Sequence, residues 1–296
     1  MNEVIERLKY EFSKGTMPIK LIYLNVGIFV LGLLLNFILH LFGTEIQPTI
    51  WKFFALHADG VEFITKPWTL LTYSLFHSGF GHILFNMLLL YFAGQVFLQY
   101  LTERQFLSLY ILGVIAGGLL FVVSINAFPV FSHPVEFYSI IGASAGVMAL
   151  IVGIATYVPN YSIRLFLLGN VKLWHIAAFL LFMDLIQFQS GNEGGHISHF
   201  GGALMGYFYA KQLRKGKDIG RWVNNVIDKI TNLFKPKAHP FQKVYRNETP
   251  RDDYEYNLSK KQHEEKVDDI LGKISKSGYE SLTSEEKDFL FKAGKK

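Results

Sequence analysis

Six stretches of this chain are apolar over membrane-like lengths, and polar or turn-forming segments separate them. They cover residues 21–42, 81–101, 106–125, 143–158, 173–188 and 196–213. Crossing a bilayer takes roughly 20 apolar residues per helix, so the pattern predicts an all-α membrane protein with six transmembrane helices, the fourth of them short. Pro129, Pro134 and Pro159 fall between these stretches, where a missing backbone donor does least harm. The first connection is long, and its Trp51, Phe53 and Phe54 suit a membrane–water interface. Beyond the sixth stretch the character changes. Pro236, Pro240, Pro250 and many charges mark a linker. Val267, Ile270, Leu271 and Ile274 then recur at helical spacing. Thr283 and Glu286 are spaced as a capping box ahead of Phe289 and Leu290. The organisation expected is an N-terminal segment at 1–20, a six-helix membrane domain at 21–213, a linker at 214–260 and a short, soluble α-helical tail at 261–296.

Composition sharpens this picture. Half of the residues are apolar, and 27 are phenylalanine. There is no cysteine, which excludes disulfides, thiolate zinc sites and cysteine nucleophiles. Residues 1–15 are charged and amphipathic, and no small-residue cleavage site follows the first apolar stretch, so no cleaved signal peptide is expected. The net charge of +5 is concentrated at the ends and reads as membrane orientation, not nucleic-acid binding. Arg7, Lys9, Lys14 and Lys20 precede the first span, and Lys211, Arg214, Lys215, Lys217 and Arg221 follow the sixth. Arg104, Arg164 and Lys172 occupy the second and fourth connections, while 126–140 and 189–195 hold no lysine or arginine. Only Lys52 and Lys66 run against this pattern. The positive-inside rule then puts both termini in the cytoplasm.

Spans two, four and six consequently run from outside to inside. His82 and Asn86 sit at the start of span two, Ser144 at the start of span four and His199 at the start of span six. At about 1.5 Å per residue, all four reach one layer about 5–10 Å below the outer surface. Polar groups at that depth are rare and mostly functional. Ser144 lies among Gly142, Ala143, Ala145 and Gly146, small enough for a substrate backbone to approach. A helix N-terminus favours a developing oxyanion. The same glycines, spaced as small-xxx-small, also suit simple helix packing. His199 is the candidate base for the serine proton. Gly202 and Gly206 lie on or near its helix face and would let that face meet span four. His82 and Asn86, four apart, share a face and could donate to an oxyanion, or bridge helices. His196 and His77 are expected to serve structure or a polar network. Asp184 completes the chain order Ser144, Asp184, His199 of an α/β-hydrolase triad, but no strand pattern precedes the serine and a triad role is not expected. The histidines fall short of the ligand sets of membrane di-iron sites, and no HExxH is present, so no metal is expected.

Three motifs in order carry a family resemblance: His77-Ser78-Gly79-Phe80-Gly81-His82-Ile83-Leu84-Phe85-Asn86, Gly142-Ala143-Ser144-Ala145-Gly146, and His199-Phe200-Gly201-Gly202 with Gly206. Over residues 68–209 the chain resembles the rhomboid family of intramembrane serine proteases. That resemblance implies a six-helix bundle with a Ser–His dyad in a water-filled cavity open to the outside. It makes Ser144 the nucleophile and His199 the general base, with His82, Asn86 and the Ser144 backbone N–H stabilising the oxyanion. It implies transmembrane protein substrates, the lipid bilayer as surroundings, no cofactor and no nucleic acid, and a bacterial cytoplasmic membrane as location. Two departures stand out. Trp68 is followed by Thr69 where many relatives carry arginine, and Ala145 separates Ser144 from Gly146. The resemblance gives the tail no role and no partner. A non-proteolytic rhomboid-like chaperone or quality-control factor is the first rival; such proteins usually lack the serine or the histidine. A transporter is the second, but inverted repeats or mid-membrane charges are not evident.

Overall fold

The computed structural model describes residues 6, 10, 12–44, 47–131, 134, 138–165, 169–189, 191–234 and 253–293. They divide between two compact units, Met1–Phe234 and Lys235–Lys296. In the first, α1 (Met17–His40) is followed by short helices α2 (Gln47–Phe54), α3 (Gly60–Thr65) and α4 (Thr69–Thr72), then by α5 (Phe80–Tyr100), α6 (Glu103–Ala127), α7 (Ser144–Tyr157), α8 (Leu173–Ile186), α9 (Glu193–Arg214) and α10 (Arg221–Phe234). The long helices α1 and α5 to α9 form the bundle that the apolar pattern predicts. By length and apolarity α1, α5 and α6 can each cross a membrane, while α7 and α8 are shorter apolar helices.

Local chemistry sets several boundaries. Thr102 and Gln105 form a capping box that starts α6 within two residues of the end of α5. Pro18 sits in the first turn of α1, where its missing N–H costs nothing. Most of α1 is outward-facing apolar surface, with Pro18, Leu21 and Asn25 buried, as expected of a helix that meets lipid on most of its circumference.

The centre of the bundle is α6, α7 and α9, and small residues line their contacts. A Cβ on Gly202 or Gly206 would overlap the carbonyl oxygen of Ala145 or Ala149, and one on Gly113 would overlap the Ala149 side chain. A Cβ on Gly117 would lie 2.6 Å from the Ser198 carbonyl oxygen, and one on Gly201 2.7 Å from that of Ala116. Backbone therefore meets backbone at these crossings, the geometry through which small residues drive helix association in a bilayer.

Several features depart from the sequence expectation. Two strand pairs are present: β1 (Leu56–His57) with β2 (Ser139–Ile140), and β3 (Ser162–Leu165) with β4 (Gly169–Lys172), both antiparallel. They are too short to show an alternating pattern. The stretch 214–260 is not linker throughout, because α10 occupies 221–234 and buries Val223 and Asn224 against the bundle. Its apolar residues are confined to one face, so average polarity concealed it. In the second unit α11 (Asp253–Ser277) starts eight residues ahead of the expected 261 and is followed by α12 (Ser284–Ala293). The expected capping box is formed: the Thr283 N–H donates to Glu286 Oε2 at 2.9 Å and the Glu286 N–H to Thr283 Oγ1 at 3.3 Å.

Replacing Gly206 by alanine forces a methyl group into the Ala149 carbonyl and is expected to cost about 1–3 kcal/mol, seen as a lower thermal midpoint in detergent. Gly27, with nothing within 4 Å of its absent Cβ, accepts alanine with an unchanged or raised midpoint.

Candidate active site

The loop ahead of α7 positions the serine. β2 pairs with β1 in the register Leu56↔Ile140, and the Gly142 N–H donates to the Tyr73 carbonyl at 2.8 Å. Gly142 has φ +127°, a conformation that glycine adopts without strain. A Cβ there would also lie 2.7 Å from His82 Nε2. The chain turns at this point and enters the helix at Ser144, inside the bundle. The first N–H groups of a helix have no intrahelical acceptor, so this end of α7 presents donors beside the Ser144 hydroxyl.

His199 lies on the second turn of α9. Close contact of Gly202 with Ala145 brings its ring onto α7, and Ser144 Oγ sits 2.6 Å from His199 Nε2. Behind the ring, His199 Nδ1 is 2.8 Å from Asp184 Oδ1 of α8. The same carboxylate oxygen lies 2.8 Å from His196 Nδ1, one turn earlier on α9. Asp184 and His196 are buried, while the His199 side chain is partly exposed. Asp184 therefore stands in line with Ser144 and His199, a triad-like geometry that the sequence pattern did not lead us to expect. The signal was present in the chain order. A soluble triad of that order follows a strand, whereas here three helices in a bundle reach the same geometry without one. His196 takes the expected polar-network place, its partner being Asp184.

His82 and Asn86 face the serine from α5. The Ser78 N–H points at His82 Nδ1 at 3.4 Å, with Ser78 Oγ 3.1 Å from the same nitrogen. An acceptor Nδ1 leaves the ring proton on Nε2, the nitrogen that faces Gly142. Asn86 Nδ2 donates to the His82 carbonyl at 2.9 Å and has a second N–H. His77 is buried edge-on against the His82 ring, with centroids 5.0 Å apart, in keeping with a packing role.

These residues share one cavity of about 780 Å³, whose wall includes Trp51, His82, Asn86, Ser144 and His199. All four sequence candidates are therefore brought together. A smaller cavity of about 150 Å³ adjoins Ser144 between α5, α7 and α8, and apolar side chains such as Leu89, Val147 and Leu180 line much of it. The loop over the site is held without an arginine at position 69. Lys66 pairs with Glu62 and donates to the Lys52 carbonyl at 3.1 Å. Trp68 Nε1 donates to the Phe53 carbonyl at 2.9 Å, and its ring stacks on Phe53. The Lys66 ammonium holds the Glu62 carboxyl below its ordinary range.

Among the described residues, Asp184, His196 and His199 are the set that could hold a metal ion, with one ligand atom each within 4.8 Å of the others. Both imidazoles already share one carboxylate oxygen at hydrogen-bonding distance, and a metal drawing in these atoms would replace both contacts.

Residues 65–216 match the family model for the Rhomboid domain. Residues 252–295, which hold α11 and α12, match a family of unknown function (DUF6576). The chain is 24% identical over 215 residues to the RHOMBOID-like protein 12, mitochondrial, of Arabidopsis thaliana; the match covers 69% of this chain and 60% of that one.

The Asp184 cluster yields a spectroscopic prediction. An imidazole N–H donated to a buried carboxylate gives a strongly downfield proton resonance. Two such signals are expected, and Asp184→Asn is expected to remove both while leaving the helical circular dichroism unchanged. Persistence of both signals in Asp184→Asn would separate the histidines from this carboxylate.

Proposed function

The chain belongs to the rhomboid family, and on that premise we propose that it is an intramembrane serine endopeptidase cleaving transmembrane segments of other membrane proteins. The observation that carries this reading is the 2.6 Å contact between Ser144 Oγ and His199 Nε2 at a cavity wall. A rhomboid-like protein without proteolytic activity has no need of that pair in that geometry.

In this mechanism a substrate helix enters the bundle laterally and unwinds locally, presenting a peptide carbonyl to Ser144. The Ser144 hydroxyl donates its proton to His199 Nε2 as Oγ attacks. Asp184 accepts from His199 Nδ1–H, holding the tautomer in which Nε2 is free to take a proton, and stabilises the imidazolium that forms. The carbonyl oxygen, now an anion, is received by His82 Nε2–H, the spare Asn86 N–H and the Ser144 backbone N–H. His199 returns the proton to the leaving amine, leaving an acyl-enzyme. Water, activated by His199, then releases the new carboxylate. His196 is a positioning residue that fixes Asp184. The chemistry uses no cofactor and no metal.

The positive-inside pattern supports a topology with both termini cytoplasmic and the cavity opening on the far side; a bacterial cytoplasmic membrane as its location is what the family resemblance implies. Transmembrane proteins are then the substrates.

The test is labelling by a fluorophosphonate and turnover of a fluorescent transmembrane substrate in detergent. The unaltered protein is expected to label at Ser144 and to cleave, and Ser144→Ala and His199→Ala to do neither. Asn86→Ala, removing one oxyanion donor, is expected to lower kcat by about 10²–10³-fold. Equal turnover in all four proteins would overturn the reading. Asp184→Asn is expected to lower kcat by about 10²–10⁴-fold with little change in KM.

A further inference from the structure

Helix α10 follows directly on the end of the bundle and has no part in the chemistry above. It is fixed in place on one side. Ser108 Oγ of α6 donates to the Gly220 carbonyl at 3.1 Å, and a Cβ on Gly220 would lie 2.6 Å from the Ser108 side chain. Asp218 Oδ1 accepts from the Gly220 N–H and from the Tyr209 hydroxyl, each at 3.0 Å. Arg104 pairs with Asp228 at 2.9 Å, and Asn224 Nδ2 donates to the Arg104 carbonyl at 3.4 Å. Val223 and Asn224 are buried under these contacts.

The free side of the same helix is apolar. Trp222, Val226, Ile230 and Leu233 lie at i, i+4, i+8 and i+11, one stripe along the helix, and all four are exposed, Leu233 at 81%. Leaving such a stripe in water on a docked, immobile helix is unfavourable by the area rule. Cations surround the approach to it. Lys211, Arg214, Lys215, Lys217 and Arg221 are all exposed, as is Lys229 within the helix. The acid among them, Asp218, already accepts from Tyr209 and Gly220. An amphipathic helix with an apolar stripe and a basic border has the composition of one that lies in a lipid interface, and basic residues at that depth favour anionic headgroups.

We propose that α10 is an interfacial anchor that lays Trp222, Val226, Ile230 and Leu233 into the headgroup–acyl boundary of an anionic leaflet, on the side where the basic end of α9 emerges. The occupant of the stripe is lipid. Because α10 is tied to α6 and α9, lipid engagement there holds the depth of the two helices that flank α7. The inference rests on the membrane character of the chain and not on hydrolysis.

The absence of cysteine makes the test clean. Single cysteines are placed at Ile230 on the stripe and at Thr231, exposed and off the stripe, in the full-length protein, and labelled with an environment-sensitive fluorophore. Each protein is reconstituted into phosphatidylcholine vesicles with and without phosphatidylglycerol, and quenching by brominated acyl chains is read. The Ile230→Cys label is expected to be quenched at least threefold more than the Thr231→Cys label, with a blue-shifted emission, and the difference to grow with phosphatidylglycerol. Equal, weak quenching with water-like emission at both sites would overturn the proposal. So would energy transfer between labels on two copies without lipid quenching, which would assign the stripe to a second copy of the chain. Neither readout depends on proteolytic activity.

Discussion

The carbonyl of Ala145 and the backbone of Gly202 meet with no side chain between them, and the approach of His199 to Ser144 depends on that contact. An imidazole reaches only a few ångströms from its helix axis. For His199 to come within 2.6 Å of Ser144, the two helices must cross closer than ordinary side chains allow. Gly202 and Gly206 against Ala145 and Ala149 give that approach on one side, and Gly113 and Gly117 of α6 support it on the other. In a bilayer the hydrophobic effect does not distinguish lipid from leucine, so close backbone packing carries the association. The same contact holds the bundle together and sets the geometry of the proposed dyad.

Around that crossing the polar groups are ordered by what each ring nitrogen faces. Ser78 occupies His82 Nδ1 and leaves Nε2–H for the cavity. Asp184 occupies Nδ1 of both His196 and His199 and leaves His199 Nε2 for the serine. The two histidines proposed to act on the substrate are thus set to opposite tasks at Nε2, one donating and one accepting. Gly142 makes room for the first, since any side chain at that position would strike the His82 ring.

Much of this was legible in the sequence because membrane helices advertise themselves. Long apolar stretches at 21–42, 81–101 and 106–125 fixed their helices to within a few residues, and the recurrence of Ser144, His199, His82 and Asn86 at corresponding span ends implied one depth. Helix α10 was not legible, since its seven apolar residues are diluted by Arg, Asn, Asp and Lys and only the period of the pattern, not its mean, marks it. Asp184 is legible as the middle member of the chain order, but its convergence with two histidines is not. Its distance along α8 from the span end gave no hint that the ring nitrogens of two histidines would converge on it. The strand pair β1–β2 also escaped notice: each strand has two residues, below any detectable alternation, yet the pair sits in the loop that delivers Gly142.

The most direct test is the rate at which Ser144 reacts with a fluorophosphonate, mapped by mass spectrometry, in the unaltered protein and in Gly202→Ala shown by circular dichroism to be folded. If the Ala145–Gly202 crossing sets the serine–histidine contact, one added methyl group, remote from the reagent, slows phosphonylation of Ser144 by tenfold or more. Phosphonylation of folded Gly202→Ala at the unaltered rate would contradict it.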